Sequence, residues 1–110
     1  MKVILIKNDA IGESGTLGNK LMINFLNALN STNTLPSKIF LLNRGVLLST
    51  TNKDSIKALE ILESKNVEIF SCQTCLEFFD LLESLQVGKV GNAKDTLESL
   101  LNAENAITLS

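Results

Sequence analysis

Residues 67–82 read VEIFSCQTCLEFFDLL and set the chain's two cysteines, Cys72 and Cys75, between a strand-like run and a helix-like one. VEIF (67–70) has the length and the branched and aromatic content of a buried strand. After it, Leu76, Phe79 and Leu82, with Phe78 alongside, recur at helical spacing and predict a helix running to about Leu85 with these residues inward. Thr74-x-x-Glu77 matches a capping box, which makes Thr74 the N-cap and Cys75 the first helical residue. A start near Ser71 fits the same stretch. A strand that runs straight into a helix is half of a β-α-β unit, so the rest of the chain should supply more of them.

It does. KVILI (2–6) reads as a first strand, followed by the polar loop KNDAIGESGTLG and a helix in which Leu17, Leu21, Met22, Phe25, Leu26 and Leu29 form one face. Pro36 precedes a second strand, KIFLL (38–42). The loop NRGVLLSTTNK then leads to a helix over about 54–64, with Ile56, Leu59 and Leu62 inward and Asp54 or Ser55 near its start. VGKV (87–90), AKDTLESLLN and AITL (106–109) give a fourth strand, a fourth helix and a last strand. Strands and helices alternating at this spacing predict a parallel α/β sheet covered on both faces, in one domain spanning residues 1–110. Ligands of such sheets bind outside the carboxyl ends of the strands. That edge collects NDAIGESG, NRGV and SCQTC.

Composition narrows function by exclusion. The formal charge is −2 and Arg44 is the only arginine, so no basic footprint for nucleic acid exists. No apolar run is long enough to span a bilayer, and Met1 leads directly into a strand rather than a signal peptide. A cytoplasmic protein with reduced thiols is the expectation. With no histidine, there is no imidazole base or metal ligand, and with no Trp or Tyr there is little to stack on a flavin. No cofactor is expected. The five phenylalanines all fall in apolar patterns and are expected in the core.

Two thiols at CxxC spacing beside free helix N–H groups have an environment that favours thiolate. Free cysteine is also among the most buried residue types, so small core residues are the plain alternative. A closed zinc site needs four ligands, and one CxxC supplies two; only a symmetric dimer could complete it. A thioredoxin-type site places a proline later in the chain than the CxxC, whereas Pro36 comes before it. No arginine follows Cys72, which excludes the loop of a thiol phosphatase.

LGNKLMINFLNAL (17–29), LPSKIFLLNRGVLL (35–48), ALEILESKNVEIFSCQTCLEFFDLLESLQVGKVGNA (58–93) and AITLS (106–110) resemble, in order and spacing, the DsrE/DsrF-like sulfur-relay family. They are most similar to its sulfurtransferase-like selenium-metabolism members of the YedF type. CQTCL, NRGV and LGNKLM are the most specific pieces; Gln73 stands where those members usually have glycine. The resemblance implies an α/β/α sandwich around five parallel strands in order 4-3-2-1-5, homo-oligomers, and cysteine persulfide chemistry on sulfur or selenium. It places the catalytic cysteine of the wider family at Cys72 and makes Cys75 the additional thiol of the YedF-type motif. Many members carry an amino-terminal domain similar to the small sulfur carrier TusA. The partner that the resemblance implies is therefore a separate TusA-like carrier.

The remaining candidates lie on the same edge. Asn43, Arg44 and Gly45 of NRGV, with Asn8 and Gly12 from the first loop, could bind an anionic substrate. Arg44 could instead stabilise the Cys72 thiolate, or be a plain surface arginine. Gly12, Gly15 and Gly18 do not match a dinucleotide or P-loop spacing, and Asn8 and Asp9 also fit helix-entry caps. The alternative function is therefore a non-catalytic anion-binding or assembly module of the same fold.

Overall fold

The apolar runs become strands because their alternate residues can be buried on opposite faces of one sheet. The computed structural model describes residues 1–110. Its elements are β1 (Lys2–Ile6), α1 (Thr16–Leu29), β2 (Lys38–Leu41), α2 (Lys53–Ser64), β3 (Glu68–Cys72), α3 (Gln73–Phe78), β4 (Lys89–Gly91), α4 (Ala93–Asn102) and β5 (Asn105–Thr108). Two 3-10 segments, Asn43–Ser49 and Leu82–Ser84, complete the path. All four strand pairs are parallel and the order is β4-β3-β2-β1-β5, as the resemblance implied.

The two faces differ. Ile4 and Ile6 of β1, Ile39 and Leu41 of β2 and Ile69 of β3 join a core with Met22 and Leu26 of α1, Leu59 and Leu62 of α2, and Leu76 of α3. The opposite face, bearing Lys38, Phe40 and Phe70, meets α4, where the Lys38 ammonium donates to Ser99 Oγ at 3.3 Å. On α4 the buried residues are Thr96 and Ser99, while Leu97 and Leu101 are 57% and 82% exposed. Three helices build the core on one side, and one helix lies on the other with Leu97 and Leu101 exposed.

Several helices depart from the sequence pattern. In α1 the inward stripe is Gly18, Met22 and Leu26, leaving Leu17 and Phe25 exposed. The stripe narrows because the loop before α1 folds over Gly18, whose carbonyl accepts from Ile11 N–H at 3.0 Å. In α2 the cap is Asn52, whose Oδ1 accepts from the N–H groups of Asp54 and Ser55, and buried Ser55 rather than Ile56 faces inward. The 42–52 connection is not an irregular loop but mostly the 3-10 segment Asn43–Ser49. Of the phenylalanines only Phe40 is fully buried; Phe25 and Phe78 lie at the surface.

The largest departure is α3. It spans Gln73–Phe78, with Cys72 rather than Thr74 at its N-cap, and stops well before Leu85. Asp80 adopts a left-handed conformation (φ 58°), Leu81 N–H donates to Leu76 O at 2.7 Å and Asp80 N–H to Glu77 O at 3.1 Å. That is a Schellman stop, with an aspartate where glycine is more usual. A helix this short has no stability of its own. Leu76, fully buried, holds it down and contributes about 1.5–3 kcal/mol. Phe78 (82% exposed) and Leu82 (38%) lie outside the core that the longer helix would have given them.

Candidate functional site

The carboxyl ends of β1, β2 and β3 lie side by side, so the segments that follow them meet. Cys72 closes β3, pairing in register with Gly91, and becomes the non-helical residue before α3. Cys75 sits in the first turn of α3, three residues on. The 3-10 segment after β2 reaches over: Asn43, in a left-handed conformation (φ 50°), donates its backbone N–H to Cys75 Sγ at 3.1 Å. Both thiols are half-buried and reduced.

The 3-10 segment can take this position because of Gly45. A Cβ there would lie 2.4 Å from the carbonyl oxygen of Ile6, at the end of β1. Behind it, Ser49 Oγ donates to Val46 O at 3.0 Å and lies 2.7 Å from Ser71 Oγ, both serines being fully buried. Ser71 is the residue before Cys72. The hydroxyl pair therefore ties the segment that supplies the Asn43 donor to the strand that presents the thiols.

The thiols open on a cavity of about 660 Å³ on the α4 side of the sheet. Leu5, Lys7, Leu42 and Asn43 line it from β1 and β2, Cys72, Thr74 and Cys75 from β3 and α3, and Thr96, Leu97 and Leu100 from α4. Lys7 is the only charged residue in its wall. Burial among these groups pushes the Cys75 thiol up from its ordinary value of 9.0; the Asn43 N–H pulls it down, and the neighbouring Cys72 thiol adds to the rise. Desolvation is the largest effect, so Cys75 is held as the neutral thiol. The dipole of α3 helps little, since the opposite half-charge of a six-residue helix sits only about 9 Å away. A second cavity, about 340 Å³ between α4 and the Phe40–Phe70 pair, is lined by no cysteine.

Of the residues singled out in the sequence, Cys72, Cys75 and Asn43 come together here. Arg44, Gly45, Asn8 and Gly12 do not line the cavity. Arg44 makes a two-point contact with Asp9, Nε to Oδ1 at 3.3 Å and Nη2 to Oδ2 at 3.2 Å, so its charge is already met. Gly45 is required for packing against β1. Asn8 is engaged locally: its Oδ1 accepts from Asp9 N–H at 2.9 Å, and its own N–H donates to Ser110 Oγ at 3.1 Å. Gly12 is an exposed turn residue with φ 77°. In the same loop the Gly15 N–H is taken by Asn19 Oδ1 at 3.0 Å, which leaves less of an anion cradle than the glycines suggest.

Sequence reasoning missed Lys7, Leu97 and Leu100. Lys7 carried a signal, since it follows the last residue of β1 on the functional edge. AKDTLESLLN was read only as a helix, and nothing in the sequence told which face its leucines would occupy. Nowhere do three or more His, Cys, Asp or Glu side chains gather as metal ligands, and no helix is long and apolar enough to cross a membrane.

A five-stranded parallel sheet in this order, with helices on both faces, defines the fold class as an α/β/α sandwich. No protein-family model matches the sequence, and no curated protein does. Among solved structures the chain is similar to the ychN protein from E. coli, with 21% sequence identity, 97% of each chain covered and a TM-score of 0.73. That likeness establishes the shared fold.

Proposed function

We propose that this chain is a sulfur-relay protein of the DsrE-like, YedF-like kind, which accepts sulfane sulfur on Cys72 and passes it to the thiol of a small carrier similar to TusA. The observation that supports this best is that both thiols open on one largely apolar cavity at the carboxyl edge, with a backbone donor already on Cys75. In the first step the Cys72 thiolate attacks the outer sulfur of a donor persulfide, the donor's S–S bond breaks, and the donor thiolate leaves. Cys72 then carries a persulfide, whose outer sulfur is attacked by the acceptor thiolate while Cys72 leaves. No net oxidation occurs, so no cofactor is required. Selenium would travel by the same displacements.

Cys72 is the acceptor because Cys75 is the thiol whose ionisation burial suppresses. Lys7, the one cation in the wall, favours the anionic persulfide. The anion-binding alternative is weaker, since Arg44 is paired with Asp9 and the Gly15 N–H with Asn19. A homo-oligomer belongs to the proposal: Leu97 and Leu101 on α4 form an exposed apolar stripe beside the cavity. Light scattering should return a multiple of the single-chain mass; a monomer at high concentration would remove that part.

The test of the relay is to expose Cys72→Ser and Cys75→Ser separately to a persulfide donor and read intact mass. Cys75→Ser should gain one sulfur and Cys72→Ser none. The opposite pattern reverses the assignment, and no gain on either protein refutes the function.

A further inference from the structure

We propose that Cys75 is a resolving thiol, which discharges a persulfide on Cys72 as sulfide when no acceptor takes it, leaving a Cys72–Cys75 disulfide. This rests on the relay function proposed above and adds a second fate for the same sulfur.

The geometry selects that fate. Cys72 is the residue before α3 and Cys75 lies in its first turn, so the side chains are on neighbouring positions one turn apart. Residues three apart on a helix have Cβ atoms about 5–6 Å apart, against about 3.5–4.5 Å in a disulfide, so closure needs a shift of about 1–2 Å. Cys72 can make it, because its backbone is extended (φ −61°, ψ 125°) rather than helical. Both thiols line the same cavity. In a Cys72 persulfide the inner sulfur stays one turn from Cys75, while the outer sulfur has the cavity to extend into, where an external acceptor would reach it. Attack by Cys75 on the outer sulfur would pass the persulfide on; attack on the inner sulfur releases it. The three-residue link between the cysteines, which closes a disulfide with little movement, favours the second.

The Asn43 N–H, already on Cys75 Sγ at 3.1 Å, meets the negative charge when that thiol deprotonates. The Cys75 thiolate attacks Cys72 Sγ, the bond to the outer sulfur breaks, and hydrosulfide leaves with that bond's electron pair. The proton of Cys75 passes to solvent. The two thiol sulfurs are oxidised by two electrons in all, and the sulfane sulfur is reduced by two. Resetting the site needs an external dithiol, which supplies two electrons and two protons. Because burial holds Cys75 neutral, discharge is slower than transfer to an ionised acceptor.

The experiment loads wild-type and Cys75→Ser proteins with inorganic polysulfide under anaerobic conditions, removes the excess, and follows free sulfide and intact mass with no added thiol. Wild type should release one sulfide per chain and end lighter than the reduced protein by two hydrogens. Cys75→Ser should keep its added sulfur and release sulfide at least about tenfold more slowly, as loss of an intramolecular nucleophile demands. Cys75→Ala should behave the same way. Wild type that keeps its sulfur as long as Cys75→Ser overturns the inference and leaves the relay standing. If neither variant at Cys75 takes up sulfur, the relay fails and the inference with it.

Discussion

The buried pair Ser49–Ser71 makes an asymmetric prediction. Ser49 Oγ donates to Val46 O, so the proton shared between the two hydroxyls must come from Ser71. Ser71→Ala removes that donor but leaves Ser49 bonded to Val46, a loss of about 1 kcal/mol. Ser49→Ala strands the Ser71 hydroxyl, fully buried and with no other partner, and costs about 1–3 kcal/mol. Val46 O stays satisfied in both cases, because Thr50 Oγ1 also donates to it at 2.9 Å. The double variant has no stranded group, so it should be no less stable than Ser49→Ala alone. Urea denaturation of the four proteins, followed by circular dichroism because the chain has no Trp or Tyr, gives the cycle. Each kcal/mol corresponds to about 4–8 °C in Tm for a domain near this size. Equal single losses that simply add in the double variant would refute the hydrogen-bond assignment.

Three further outcomes follow from the site. Arg44→Ala should leave the alkylation-versus-pH curve of Cys72 unchanged, because the guanidinium is held by Asp9; a shift would show that its charge reaches the thiol. Gly45→Ala drives a Cβ against the Ile6 carbonyl and should destabilise by about 1–3 kcal/mol, read by denaturation, while lowering the alkylation rate of Cys75 as the Asn43 donor that favours its thiolate moves off; wild-type stability would contradict the packing. Burial raises the Cys75 pKa above 9.0, so the folded chain keeps a proton that the unfolded chain loses. That contribution is complete below the unfolded value and disappears as pH rises through the folded one, so wild type should lose stability above about pH 9 more steeply than Cys75→Ala. Equal slopes would remove the shift.

The strands were legible because buried parallel strands read as short apolar runs whatever surrounds them: KVILI falls where the pattern put it, KIFL ends one residue early, and EIFSC starts one residue later than VEIF and runs on through Cys72. Their order was not in the periodicity; it came with the family resemblance. Helix faces were less legible, since a count of apolar positions assumes that every leucine points inward. Leu97 and Leu101 break that assumption on a face that a single helix covers. The end of α3 was hidden because its stop uses Asp80 rather than glycine. At the site, the cysteines could be read from their spacing, but the donor to Cys75 is a backbone N–H, which any residue other than proline supplies. Asn43 revealed it only through a left-handed conformation that the sequence permits without requiring.

The central claim is that the fold, not the thiol alone, makes Cys72 the sulfur acceptor. It is tested by loading the wild-type chain briefly with polysulfide, once native and once unfolded in urea, then blocking free thiols and mapping the added sulfur to Cys72 or Cys75 by peptide mass spectrometry. In the native chain the sulfur should fall predominantly on Cys72, and in the unfolded chain the two positions should share it about equally, since burial and the Asn43 donor are gone. The same ratio in both states, or a native preference for Cys75, would contradict the account.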